Sequence, residues 1–171
     1  VTPRPQLEHL SAHLTVPEFL HTQVRQYLDE QDASWVENTA LRAHGERFAS
    51  SVFERVRPTT GPLLVTSGYR CPRLNTFVGG QPASHHMLGL AADVVPLTMR
   101  LVAAMVAIQG ELQAGTLPDV DQVIFEYGRW IHLQAALTSA KPRHNCLMTF
   151  GGGSYAPFDA ADPRVVARSN A

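Results

Sequence analysis

The residue that most constrains this chain is an aspartate inside an apolar run. Residues 91–95 read Ala-Ala-Asp-Val-Val, a short segment expected to form a buried strand. Burying an ionised carboxylate is costly unless it is paired, hydrogen-bonded or bound to a metal. Asp93 therefore needs a partner. His86, seven residues earlier across a small-residue turn at Gly89, can return to the same spot. Taken alone, these residues fit two readings equally well: a hydrogen-bonded Asp–His pair that organises a turn, or two ligands of a metal ion.

A third residue tips the balance. Trp130-Ile131-His132-Leu133 sets a lone histidine in a second apolar strand. By itself His132 would read as a satisfied core histidine. Two isolated buried polar sites in one small domain are easier to explain if they meet. A His, Asp, His set mixes nitrogen and oxygen donors and suits Zn²⁺. Three protein ligands leave the fourth position for water, which is the catalytic arrangement rather than the closed structural one. His9, His13, His21, His44 and His144 have no acidic or thiol companions at ligand spacing and read as surface or capping residues.

The rest of the chain is consistent with one folded unit. Its 171 residues can bury a core without staples. The formal net charge is -1 with no long basic run, so nucleic acid is not an expected partner. No apolar stretch is long enough to insert in a membrane. Val-Thr-Pro-Arg-Pro at the start does not read as a signal peptide. Cys71 and Cys146 are either a pair or two free thiols, and free thiols fit a core of this size better.

Along the chain, residues 1–14 read as an extended arm, 15–150 as the domain and 151–171 as a tail without a core pattern. Thr15-Val16-Pro17-Glu18 is a capping box with Pro in the first turn, opening a helix over about 17–28. A second helix is expected from Trp35 to Val56 on the stripe Leu41, Phe48, Val52, Val56, ended by Pro58 and Gly61-Pro62. Strands are expected at 63–66, 91–95 and 146–150, a long structured loop at 67–89, and a helix at 97–112. Residues 122–127 and 130–134 form a hairpin pattern around Gly128-Arg129. Helices first, then strands with one helix inserted, make an α+β fold with a small antiparallel or mixed sheet and helices packed around it.

The motifs together resemble a known family. Ser67-Gly68-Tyr69-Arg70, Asn75, Gly79-Gly80, Ser84-x-His86-x-x-Gly89-x-Ala91-x-Asp93 and Trp130-x-His132, in that order, are similar to the zinc D-Ala-D-Ala peptidases. That family includes carboxypeptidases, dipeptidases and phage endolysins, and shares the hedgehog-like zinc peptidase fold. The entry Thr15–Phe19 and the hairpin Asp121–His132 look most like the carboxypeptidase-like group common in bacteriophages. The resemblance runs from about Leu14 to the last strand.

The resemblance implies zinc ligands His86, Asp93 and His132, the family spacing preferring His86 over its neighbour His85. It implies Arg70 as the cation that holds a substrate carbonyl or carboxylate, a task suited to a planar guanidinium. Ser84 and Asn75 either touch substrate or shape the loop. Several branches carry the general base three residues before the second histidine, where this chain has Arg129. Glu126 is then the nearest base, with Asp121 the second candidate. A turn over Tyr127-Gly128-Arg129 would put Glu126 opposite Trp130 and on the face of His132; a two-residue turn would turn it away. A glutamate at this position is usual in the phage group, which favours the first.

The implied substrate is a peptidoglycan stem peptide, cut by a carboxypeptidase or an endolysin-like endopeptidase. The implied setting is phage-encoded cell-wall degradation, from the host cytoplasm at release or from the virion, where other virion proteins would be partners. A removed leader would instead imply a periplasmic or secreted wall enzyme. Arg129 at the usual base position leaves a different class open: a virion or tail-associated structural protein that keeps the fold with little activity.

Overall fold

A computed structural model describes residues 8–169. The chain begins with a small antiparallel hairpin, β1 (His9–Ser11) and β2 (Leu14–Thr15). The arm expected over residues 1–14 thus contains paired strand where it is described, and its residues 1–7 lie outside the described residues. Glu54 ties the hairpin down by accepting from Ser11 Oγ at 2.6 Å, His13 N at 2.8 Å and His13 Nδ1 at 2.9 Å.

The capping box forms as read. Thr15 Oγ1 accepts from Glu18 N while the Glu18 carboxylate accepts from Thr15 N. The helix it opens, α1 (Val16–Phe19), lasts one turn rather than reaching residue 28. After a 3₁₀ turn at Arg25–Tyr27 the chain enters α2 (Leu28–Glu37). The helix expected over 35–56 is broken at Asn38, an extended residue whose Oδ1 caps α3 (Thr39–Phe48) through Ala40 N and Leu41 N. Beyond α3 the helix widens into a π turn, Ala49–Phe53, and continues as α4 (Glu54–Thr60) through Pro58. Pro58 lacks an N–H to donate, yet the helix runs on through it until Gly61, at φ 73°, ends it.

The main sheet has six strands. They are β3 (Leu63–Ser67), β4 (Ala91–Pro96), β5 (Val120–Glu126), β6 (Trp130–Ala135), β7 (Asn145–Thr149) and β8 (Ala156–Pro157), in the order β3-β4-β6-β5-β7-β8. Only β5 and β7 pair in parallel, so the sheet is mixed and the fold is α+β. Helix α6 (Leu101–Ala114) joins β4 to β5. Strand alternation divides the sheet into two faces. Ala92, Val94, Val123, Phe125, Ile131 and Leu133 are fully buried in the core with Phe48, Val52 and Val56 of the helical stretch and Met105 and Ile108 of α6. The opposite face carries Asp93, Ile124, Glu126, His132 and Gln134 and lines a cleft.

Two further expectations are corrected. The loop 67–89 contains α5 (Pro72–Phe77), started by Pro72 in its first turn, and a 3₁₀ turn at His85–Leu88. The tail is not free of the core: it supplies β8, α7 (Pro163–Ser169) and the buried side chains Phe158 and Val165. Phe158 follows Ala156-Pro157, and Val165 lies in the short run Val165-Val166-Ala167, segments too brief for a period to be read. Both cysteines are free thiols, Cys71 buried and Cys146 half-buried.

Candidate metal centre

Asp93 and His132 face each other as direct partners across β4 and β6. This is the convergence that two buried polar residues in apolar strands require. His86 arrives from the 3₁₀ turn packed against β4. Ser84 caps that turn, its Oγ accepting from His86 N at 3.3 Å, and Gly89 leaves it in the left-handed conformation at φ 69°. The turn docks on the loop after β3, where Arg70 N donates to His86 O at 3.1 Å. On its other side this loop packs against α1, and Gly68 allows it, since a Cβ there would lie 2.2 Å from the Phe19 carbonyl oxygen.

The three side chains present their donor atoms to one another. His86 Nε2 lies 3.2 Å from Asp93 Oδ1 and 3.1 Å from His132 Nδ1, and His132 Nδ1 lies 2.9 Å from Asp93 Oδ1. All three residues are buried. Their outward atoms are already engaged. His86 Nδ1 is 2.6 Å from the Gly68 carbonyl oxygen, so that nitrogen carries the proton and Nε2 keeps its lone pair. Asp93 Oδ2 accepts from Arg70 Nη2, and Arg70 Nε donates to Ser67 Oγ at 2.8 Å.

This set fits a metal ion. Ligand bonds of about 2.0–2.1 Å at tetrahedral angles separate donor atoms by about 3.3 Å, close to the spacings found. Burial would push the Asp93 carboxyl upward, but His86 and His132 override it and hold it well below the usual range, ionised. Burial pushes the His86 pKa down, toward the neutral ring that a metal needs.

The cleft above these residues has a volume of about 1070 Å³, and Arg70, Ser84, His85, Glu126, Arg129, Trp130 and Tyr155 are among its lining. The turn after β5 spans Tyr127-Gly128-Arg129, so Glu126 pairs with Trp130 and shares the face of His132. Trp130 Nε1 donates to Glu126 Oε2 at 3.0 Å. Burial raises the Glu126 pKa, His132 opposes it, and the Asp93 charge adds to the rise. Arg129 sits exposed at the turn.

The remaining candidates divide. Asn75 is only 2% exposed and donates through Nδ2 to Gln81 O, which fits the loop-shaping one of its two expected roles. Asp121, the second base candidate, is bound on both oxygens by Arg143 and on one by Gln134. Arg70 is committed to Asp93 as well as lining the cleft, a partnership invisible in its motif. Gln134, near His132, was missed. Its position two residues on from His132 is the one signal that could have found it, because alternation puts both on one face.

Residues 12–134 match the family model described as Peptidase M15, a span that includes every residue of the centre. No curated protein matches the chain at a significant level.

Proposed function

This chain belongs to the Peptidase M15 family of metallopeptidases, and on that premise we propose that it is a zinc peptidase hydrolysing peptide bonds in peptidoglycan stem peptides. One observation carries the reading: His86 Nε2, Asp93 Oδ1 and His132 Nδ1 converge on the cleft face of the sheet that also bears Glu126.

His86, Asp93 and His132 would hold the zinc. When bound, zinc supplies Lewis acidity toward water and toward a peptide carbonyl. The chain's own groups account for the rest. Glu126 takes a proton from the attacking water and passes it to the leaving amine. Its burial-raised pKa makes it a better proton acceptor than an exposed carboxylate. Trp130 holds one carboxylate oxygen and so fixes the angle of the other. Arg70 keeps Asp93 in place through Nη2 and offers its remaining N–H groups to the substrate carbonyl or carboxylate. Ser84 shapes the wall by capping the turn that carries His86.

Within this reading the enzyme is a carboxypeptidase or an endolysin-type endopeptidase, phage-borne by the likeness of its helix entry and hairpin. No helix among the described residues is long and apolar enough to cross a membrane. The test is turnover of purified sacculi and of a synthetic stem peptide, with zinc, with chelator and with zinc restored. Hydrolysis that stops with chelator and returns with zinc supports the proposal. Release of a single terminal residue marks a carboxypeptidase, and internal cleavage an endopeptidase. A zinc-loaded protein that cleaves neither substrate at any pH defeats it and leaves the structural virion role.

A further inference from the structure

We propose that Gln134, locked in one orientation by Asp121 and Arg143, is the positioning residue that makes His132 present Nδ1 to the metal. The inference rests on the metal-site reading above.

The argument runs through hydrogen-bond polarity. Asp121 is 4% exposed and lies outside the centre. Its carboxylate accepts from Gln134 Nε2 at 2.7 Å, from Arg143 N at 2.8 Å, from Arg143 Nε at 3.1 Å to each oxygen, and from Arg143 Nη2 at 2.5 Å. A carboxylate only accepts, so the Gln134 group facing it must be the NH₂. The amide oxygen is then turned toward His132 Nε2, at 3.4 Å. That oxygen also only accepts, so Nε2 donates its proton to it. Nδ1 faces a second acceptor, Asp93 Oδ1 at 2.9 Å, beside His86 Nε2, so it is the nitrogen whose proton a metal would displace while Gln134 keeps the one on Nε2.

Reversing the amide would set its oxygen against the Asp121 carboxylate and its NH₂ against His132. The first contact is repulsive in a buried place, where unpaired acceptors are costly. The charge on Asp121 thus fixes which nitrogen of a ring it does not touch keeps its proton when a metal takes the other. Burial opposes that charge, but the hydrogen bonds from Arg143 and Gln134 override it and hold the carboxyl below its usual range. Gly68 performs the same task for His86 with a backbone carbonyl. A metal-ligating histidine usually has its second nitrogen fixed in this way; here the fixing group is relayed from the segment between β6 and β7, which carries Arg143.

The plain alternative is that Asp121 and Arg143 merely anchor that segment. Two variants, Gln134→Leu and Asp121→Asn, separate the readings. Zinc affinity is measured by competition with a chromophoric chelator, and the His132 ring by nitrogen-15 NMR of the zinc-loaded protein, alongside thermal unfolding without metal. Each variant should bind zinc about 10–100-fold more weakly than the parent. In the parent the His132 proton should sit on Nε2, and in Gln134→Leu it should move upfield and exchange faster with solvent. A parent that binds zinc, with folded variants that bind it equally well, overturns the inference and leaves the site reading intact. A parent that binds no zinc overturns both. Should the variants not fold, the parent spectrum decides: a proton on Nδ1 overturns the inference and a hydrogen-bonded proton on Nε2 supports it.

Discussion

Trp130 Nε1 donates a 3.0 Å hydrogen bond to Glu126 Oε2, its direct partner across the β5–β6 hairpin. The bond ties the candidate base to the strand that also carries His132, so the proton-transfer group and a metal ligand move as one rigid piece.

Glu126→Gln keeps the shape and an acceptor for Trp130 but cannot take a proton. Turnover should fall by roughly 10²–10⁴-fold, with zinc content by elemental analysis unchanged. Loss of zinc would make Glu126 a fourth ligand, and parent-like turnover would hand the base role to another residue.

His86→Ala should abolish tight zinc binding, and His85→Ala should retain it. The two neighbours differ in what they face: only His86 offers a nitrogen to Asp93 and His132. Equilibrium dialysis of both variants checks this, and the reverse outcome would mean that the ligand assignment is off by one residue.

Arg70→Lys should lower both turnover and zinc affinity. The guanidinium reaches Ser67 and Asp93 at once, and a single ammonium does not span them. Metal affinity should drop by about 10–100-fold, as for other groups that hold a ligand in place. Unchanged affinity with reduced turnover would restrict Arg70 to the substrate.

Zinc that binds the native chain and not the unfolded one should stabilise it, by about 2.7 kcal/mol at one hundred times the dissociation constant. Adding chelator should therefore lower the melting temperature, and returning zinc should restore it. A melting temperature indifferent to both would argue against a bound metal.

Glu54→Gln tests the clamp on the β1–β2 hairpin. Burial would raise the Glu54 pKa, but hydrogen bonds from Ser11 and His13 and the charge of His13 lower it below its unfolded value. A lowered native pKa contributes stability above the unfolded pKa that is lost as pH falls through the native one. The parent should thus exceed the variant by on the order of 1 kcal/mol at neutral pH, and the gap should close below the ordinary glutamate range. Urea unfolding at both pH values measures it; a gap that persists in acid would assign the effect to packing.

Some of this protein was legible residue by residue. The capping box at Thr15–Glu18 and the strand around Asp93 follow from neighbours a few positions apart, whereas the length of the hairpin turn was open between two and three residues and only the family resemblance favoured three. The ligand candidates were legible for a related reason: Asp93 and His132 are costly in apolar strands, and a cost of that kind is visible without coordinates. Helix lengths were less so. The break at Asn38 rests on a local side-chain cap that competes with a continuing apolar stripe, and the run through Pro58 goes with the burial of Val52, Phe53 and Val56 in the core.

By itself, the sequence determined which residues need partners, because a buried carboxylate and two buried imidazoles are costly unless each finds a hydrogen-bonding group or a cation. Only the tertiary structure decided which atoms meet. The commitment of Arg70 to Asp93, the seating of Phe158 and Val165 in the core, the burial of Asn75 and the relay from Asp121 through Gln134 to His132 all join groups distant in sequence or turned by a register. Hydrogen-bond direction is a property of juxtaposed donors and acceptors, and juxtaposition exists only once the chain has folded.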